Sequence, residues 1–203
     1  MVILIGGNGC TGKTLMAQTL LEKYKIPYLS IDHLKMGIYR GDKNCGFTPL
    51  DSSEKIGEIL WPIIKGIIMT NIENRQSLII EGCYLLPHRI KEFDQPYKDE
   101  IISVFLGFSE DYIEKHLKGE IIQNRNAIEQ RMYPEDRSVT QFISEHEKFR
   151  KHCLEQGVTY FEIKHDYEAQ IQKVYGYIDE RVKTMERVMK EDEEVKPRTS
   201  QRS

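Results

Sequence analysis

Val2 to Ile5 is a short apolar, β-branched run closed at once by Gly6 and Gly7, and from Leu15 to Lys25 apolar residues return at Met16, Ala17, Leu20, Leu21 and Tyr24 in helical spacing. The pattern predicts strand, glycine turn, helix. Pro27 stops that helix, and Tyr28 to Ile31 reads as a second buried strand leading to Asp32 and His33. A loop rich in Gly, Asp and Asn follows around Gly41 to Gly46. Asp51 and Glu54 then form a capping-box-like start to a long helix, whose stripe Ile56, Ile59, Leu60, Ile63, Ile64, Ile67 and Ile68 repeats with a helical period. Pro62 lies inside it and predicts a kink, with a break as the alternative.

Ser77 to Glu81 and Ile101 to Phe108 are near-continuous apolar runs, the form taken by strands buried on both faces. Ser109 caps a further helix with Glu110 and Asp111 in its first turn; its stripe Ile113, Leu117, Ile121 runs on to Arg125 and turns that arginine inward. Pro134 ends or bends this element. Ser138 starts another helix, with Val139, Phe142, Ile143, Phe149 and Leu154 inward and Gly157 as its stop. Val158 to Ile163 is the last strand, and Asp166 caps a final helix through Ile171, Val174, Ile178 and Val182. Short apolar strands alternating with helices predict an α/β domain, a parallel sheet covered on both faces and joined by right-handed crossovers. From 190 to 203, eight of the fourteen residues are charged and only Val195 is apolar. Burial there cannot offset the entropy of ordering, so a single domain is expected over 1–189 with a disordered charged tail over 190–203.

Composition narrows the function class. At 203 residues, 39% hydrophobic and 30% charged, the chain is expected to form one core, and a wholly disordered, collagenous or membrane-spanning chain is excluded. No apolar stretch approaches the ~20 residues of a spanning helix, and Gly6 and Gly7 interrupt any leader-like run, so the cytoplasm is the expected compartment, with no membrane partner. Lys plus Arg of 29 against Asp plus Glu of 32 leaves −3, which argues against a nucleic-acid partner held by a global positive field. Cys10, Cys45, Cys83 and Cys153 show neither CxxC spacing nor paired histidines and read as free thiols.

The candidate chemistry begins at Gly7-Asn8-Gly9-Cys10-Thr11-Gly12-Lys13-Thr14, which satisfies the G-x-x-x-x-G-K-S/T pattern of a phosphate-binding loop (P-loop) between a strand and a helix. Glycines let such a loop wrap its N–H groups around phosphate oxygens, and the helix N-terminus adds partial positive charge. Lys13 is expected to bridge β- and γ-phosphates and Thr14 to offer its hydroxyl to Mg²⁺, which makes ATP and Mg²⁺ the expected ligands. Glu81, ending its strand at the sheet edge where open α/β sheets bind ligands, is either a Mg²⁺ ligand through water or a strand-end carboxylate that faces solvent or pairs with a lysine. Asp32 occupies the corresponding edge after the second strand; it either takes the proton of an acceptor hydroxyl or caps the segment after it. Arg125, Arg131 and Arg137 stand six apart, about 240° on one helix, so only a break near Tyr133-Pro134 lets them converge on a transferring phosphoryl group. The alternative is three solvated arginines paired with Glu120, Glu129 and Glu135. Lys35 and Arg40 are candidates for an anionic group on the acceptor, or surface charges, and His88 and Arg89 are candidates to line the acceptor pocket; His146 reads as a core-edge histidine and Trp61 as core.

With these residues in place, the chain resembles the P-loop kinases of nucleotides and small metabolites, the group that includes adenylate kinase, gluconate kinase and the zeta-toxin and chloramphenicol phosphotransferase types. Gly6 to Thr14, Ile31-Asp32-His33-Leu34 and Ile79-Ile80-Glu81-Gly82-Cys83-Tyr84-Leu85-Leu86-Pro87 are most similar to bacterial proteins described as 2-phosphoglycerate-kinase-like or adenylate-kinase-like. The resemblance implies a three-layer sandwich around a five-stranded parallel sheet in the order 2-3-1-4-5. It also implies an acceptor-binding insertion over about 33–76 and an arginine-bearing helical lid over about 118–137. Adenylate kinases carry Asp-Gly-Phe-Pro-Arg where this chain has Glu81-Gly82-Cys83-Tyr84-Leu85, which turns the expectation from a nucleoside monophosphate toward a phosphorylated sugar acid or another small hydroxyl compound. The expected activity is transfer of the γ-phosphoryl group of a nucleoside triphosphate to a small-molecule acceptor. A nucleotide-driven switch, or a toxin or RNA-end kinase using the same donor site, are the alternatives.

Overall fold

The computed structural model describes residues 1–126, 128 and 135–195. In chain order, β1 (Val2–Gly7) leads through the glycine loop into α1 (Lys13–Tyr24), and β2 (Tyr28–Ser30) passes directly into α2 (Ile31–Gly41). Then come α3 (Ser53–Glu73), β3 (Leu78–Glu81), a 3₁₀ turn over Pro87–Glu92, the single turn α4 (Gln95–Lys98) and β4 (Ile101–Phe108). Helix α5 (Glu110–His116) is prolonged by a π-helical stretch, Leu117–Ile121, and a 3₁₀ turn, Asn124–Asn126. Helix α6 (Val139–Gln156), β5 (Tyr160–Ile163) and α7 (Tyr167–Val195) complete the chain.

Among the described residues the strands form one five-stranded, all-parallel sheet in the order β2-β3-β1-β4-β5, as expected. Pairing of Ile5 with Glu81 and of Ser30 with Glu81 sets the ends of β2 and β3 level with Ile5, and β1 runs two residues further, to Gly7. That alignment puts the loops after β1 and β3 and the start of α2 side by side. Because successive side chains of a strand point to opposite faces, Ile3 and Ile5 pack with Met16 and Leu20 of α1 and with Ile171, Val174 and Ile178 of α7. Val2 and Leu4 pack on the other face against Ile56, Leu60, Trp61 and Ile64 of α3. Each fully buried aliphatic side chain on that stripe contributes about 1.5–3 kcal/mol of transfer free energy.

Several local readings are corrected. The N-cap of α3 is Ser52, whose hydroxyl accepts from the Lys55 N–H; Asp51 instead accepts from the Thr48 N–H at 2.7 Å and pairs with Lys55. Helix α3 continues through Pro62 without a break. On α6 the inward position is Cys153, fully buried, and Leu154 is 56% exposed, because the stripe through Phe142 and His146 brings residue 153 rather than 154 onto the buried face. The capping box at Ser138 closes through Gln141, and Gly157 ends α6 in the left-handed region. Helix α7 is capped by Asp166, as read, but runs to Val195, past the expected boundary at 190; exposed i, i+4 pairing such as Arg187–Glu191 supports a polar helix there. No described helix is long and apolar enough to cross a membrane.

Candidate active site

The glycine loop leaves β1 at Gly7, whose φ of +138° suits glycine, and a Cβ there would lie 2.3 Å from the Leu106 carbonyl oxygen. Two further left-handed turns follow, at Cys10 and at Gly12. Gly12 is required twice over, since its φ is +84° and a Cβ would lie 1.9 Å from the Tyr167 hydroxyl. That hydroxyl donates to the Thr11 carbonyl at 3.3 Å, so the first residue of α7 braces the loop from above. Burial pushes the Tyr167 phenol up to about 12, which keeps it a neutral donor. Thr11 donates to the Asn8 carbonyl at 2.9 Å, and Lys13, 8% exposed, reaches back over the loop to the same carbonyl at 2.5 Å and to the Thr11 hydroxyl at 3.4 Å. A buried ammonium is thereby poised at the mouth of a helix N-terminus, the arrangement suited to a polyphosphate.

A single cavity of about 1420 Å³ joins this loop to the rest of the candidate site. Its walls include Gly9, Cys10, Gly12, Lys13 and Thr14 of the loop, Glu81 at the end of β3, Asp32 and Lys35 of α2, and Arg125. A pocket for one small ligand usually holds about 300–1,000 Å³, so the cavity has room for two. Glu81 is 2% exposed at the end of β3, opposite Ile5 of β1 and Ser30 of β2. Thr14 and Glu81 together supply two ligand side chains. No group of three or more His, Cys, Asp or Glu among the described residues could hold a metal alone. Such a sparse set fits Mg²⁺, which takes most of its ligands from water and substrate phosphates. The loop likewise fits a nucleoside triphosphate, since its glycines keep the phosphate cradle clear of side chains.

Asp32 lies in the first turn of α2, after the N-cap Ser30, so it does not cap the segment. Its Oδ1 accepts from Lys35 Nζ at 2.9 Å and from the Tyr84 hydroxyl at 3.2 Å, and Lys35 Nζ also donates to Tyr84 at 2.5 Å. Burial, then the neighbouring Cys83 and Asp32, holds the Tyr84 phenol well above its ordinary value.

The arginines part company. Arg125 is buried, its side chain 6% exposed, and lies 3.8 Å from Glu135; Arg137 pairs with the same Glu135 at 2.7 Å and with Glu145 at 2.7 Å. One carboxylate thus gathers two of the expected lid arginines. The Arg137 guanidinium also covers Phe142 and approaches Gly9, with Nη2 3.4 Å from where a Cβ would stand. Hydrogen bonding to Glu135 and Glu145 raises its proton affinity further. Arg131 lies outside the described residues. Arg40 is exposed at the end of α2 and outside the cavity walls. Arg89 is bound to Glu58 and Glu92, also away from the cavity.

Sequence reading missed the tyrosines. Tyr84 and Tyr167 are detectable only as residues that follow the C-terminal edges of β3 and β5, a position rather than a motif. Missed too was a ladder of near-parallel rings, Phe142, His146, Phe108, Tyr112 and His116, with centroids 4.8, 5.4, 5.1 and 4.4 Å apart. Tyr112 and His116 both hydrogen-bond or pair with Glu120, tying α5 to the π-helical stretch on the cavity wall. His146, 1% exposed, accepts the Phe108 N–H at Nδ1, so its proton must sit on Nε2. Burial, with the charges of Lys13 and Arg137, depresses it to about 3. A depressed histidine contributes stability that is complete above its unfolded pKa of about 6.5 and is lost as pH falls toward the folded value. The unfolding free energy from urea titrations should therefore decline between pH 6.5 and about 3, by up to about 1.4 kcal/mol per pH unit, and a His146→Gln protein should show a flatter profile. Equal slopes for the two proteins would remove His146 as the cause.

No protein-family model and no curated protein matches the sequence. Solved structures do. A protein of Chloroflexus aurantiacus with a provisional kinase assignment is 21% identical, with 86% of this chain and 96% of that one covered and a TM-score of 0.52. The shikimate kinase of Aquifex aeolicus is 14% identical, with 90% and 98% covered and a TM-score of 0.51. The likeness is one of fold: this chain has the three-layer fold found in P-loop kinases of small molecules.

Proposed function

We propose that the chain is a Mg-ATP-dependent phosphotransferase acting on a small hydroxyl-bearing metabolite. The observation that carries this reading is the cavity whose walls bring Lys13 and Thr14 of the glycine loop together with Asp32 and Glu81. Lys13 and the loop N–H groups hold the phosphates, and Thr14 and Glu81 are the residues that would hold Mg²⁺. When bound, Mg²⁺ neutralises charge on the phosphate oxygens. Asp32 orients the acceptor hydroxyl and receives its proton, which then passes to solvent. The acceptor oxygen bonds to the γ-phosphorus as the bridging P–O bond breaks, and the electron pair leaves on ADP. Arg125, on the cavity wall, and Arg137, beside Gly9, are the guanidinium groups that would meet the phosphoryl group.

Incubation with γ-labelled ATP and a cell extract of small metabolites tests the reading. Label should appear in a small molecule other than phosphate, and EDTA should abolish it. Label confined to inorganic phosphate would move the assignment to a nucleotide-driven switch.

A further inference from the structure

We infer that Tyr167 is a positioning residue for the triphosphate: its hydroxyl fixes the Thr11–Gly12 peptide so that the Gly12 N–H is turned toward the phosphates before the nucleotide arrives. This deepens the kinase reading above and rests on its nucleotide half.

Gly12 stands in the left-handed region, with φ 84° and ψ 17°, and Lys13 after it is the first residue of α1. A left-handed residue followed by a right-handed helical one makes successive N–H groups converge, here those of Gly12, Lys13 and Thr14, into a concavity suited to an anion. Lys13 and Thr14 lie in the first helical turn, where N–H groups have no intrahelical partner. No backbone carbonyl among the described residues accepts the Gly12 N–H. Glycine alone does not hold this shape. With no Cβ it visits positive and negative φ about equally, so a free loop would have to be ordered by the phosphates themselves, at a cost in affinity.

Tyr167 supplies the missing constraint from the far end of the chain. Its hydroxyl donates to the Thr11 carbonyl at 3.3 Å and stands 1.9 Å from where a Cβ on residue 12 would lie, an approach that only glycine permits. The peptide joining the two residues is planar and trans, which sets the Thr11 C=O and the Gly12 N–H on opposite sides. Holding the carbonyl therefore directs the N–H away from the phenol. The phenol is itself anchored. Tyr167 is the first residue of α7, behind the cap Asp166, which accepts the Ala169 N–H at 3.1 Å, and its ring packs against the core that holds Met16, Leu20 and Ile171. Tyr167 also shares the cavity wall with Cys10, Gly12, Lys13 and Thr14, so the brace acts where the phosphates are expected.

The test compares the full chain with Tyr167→Phe, which keeps the packed ring and loses the hydroxyl. Calorimetric titration with Mg-ATP should show Kd raised about three- to tenfold, the fold-change of one net hydrogen bond. Inorganic tripolyphosphate, titrated in competition with ATP, should lose affinity by the same factor, because the brace acts on the loop and not on the nucleoside. With the acceptor found by the labelling assay, the KM for ATP should rise in step while kcat and the acceptor KM stay within about twofold. An unchanged Kd for ATP overturns the inference and leaves the kinase reading standing. Failure of the parent protein to bind Mg-ATP overturns both. A loss seen with ATP but not with tripolyphosphate would mean that the phenol touches the nucleoside directly, and would overturn the bracing role. A fall in kcat together with a raised acceptor KM would make Tyr167 a general fold contact, and would overturn it as well.

Discussion

Replacing Lys13 by Met should lower kcat/KM for phosphoryl transfer by about 10³-fold while the protein keeps its fold. The size of the effect follows from where the charge sits. Lys13 is 8% exposed at the N-terminus of α1, and a charge in such a site acts through a lower effective dielectric than water and needs no reorganisation during the reaction. Losing a preorganised donor of this kind costs roughly 10²–10³-fold, and the full positive charge places Lys13 at the upper end, equivalent to about 4 kcal/mol of transition-state stabilisation. Met keeps the apolar stem and gives up the Nζ bonds to Asn8 and Thr11, local contacts worth about 1 kcal/mol each. Urea denaturation followed alongside the transfer assay separates the two effects. Transfer that stays within tenfold of the parent would remove the loop from the chemistry.

The glycine loop was legible because its chemistry is local: residues 7–14 carry their own turn geometry, and the strand and helix on either side are written in adjacent apolar patterns. Strand and helix identity followed from periodicity in the same way, with β4 found at its full length. What escaped were contacts made across the fold. The need for glycine at position 12 is explained by Tyr167, which lies 155 residues away and carries no motif. Asp32 read equally well as a base or as a cap, and only the start of α2 at Ile31, with Ser30 as its N-cap, decided that it does not cap. The arginines illustrate the same limit. Spacing said that a straight helix could not gather them; it could not say that Glu135 would collect Arg125 and Arg137 while Arg89 went to Glu58. On α6, a one-residue error between Cys153 and Leu154 shows how a stripe read over several turns drifts when a polar residue, His146, belongs to the buried face.

An Asp32→Asn protein should lose roughly 10²–10⁴-fold in kcat, the usual contribution of a positioned acid–base group, and retain its KM for ATP within about twofold. Asn has nearly the shape of Asp and can still accept from Lys35 and Tyr84, so it removes the charge and the proton-accepting capacity rather than the contact. Stability should also fall, because the Lys35 ammonium would face a neutral amide in a site where the lysine is 7% exposed. The Asp32 side chain is 30% exposed, so solvent screens part of the loss, and roughly 1–3 kcal/mol is expected. The two consequences separate in a double variant. Combining Asp32→Asn with Lys35→Met removes both charges and should recover most of the lost stability, since the cost lies in stranding one partner rather than in lacking the pair. It should recover none of the lost kcat, because the double variant has no carboxylate to receive the acceptor's proton. If kcat returns together with stability, Asp32 serves the fold alone, and the base must be sought elsewhere on the cavity wall.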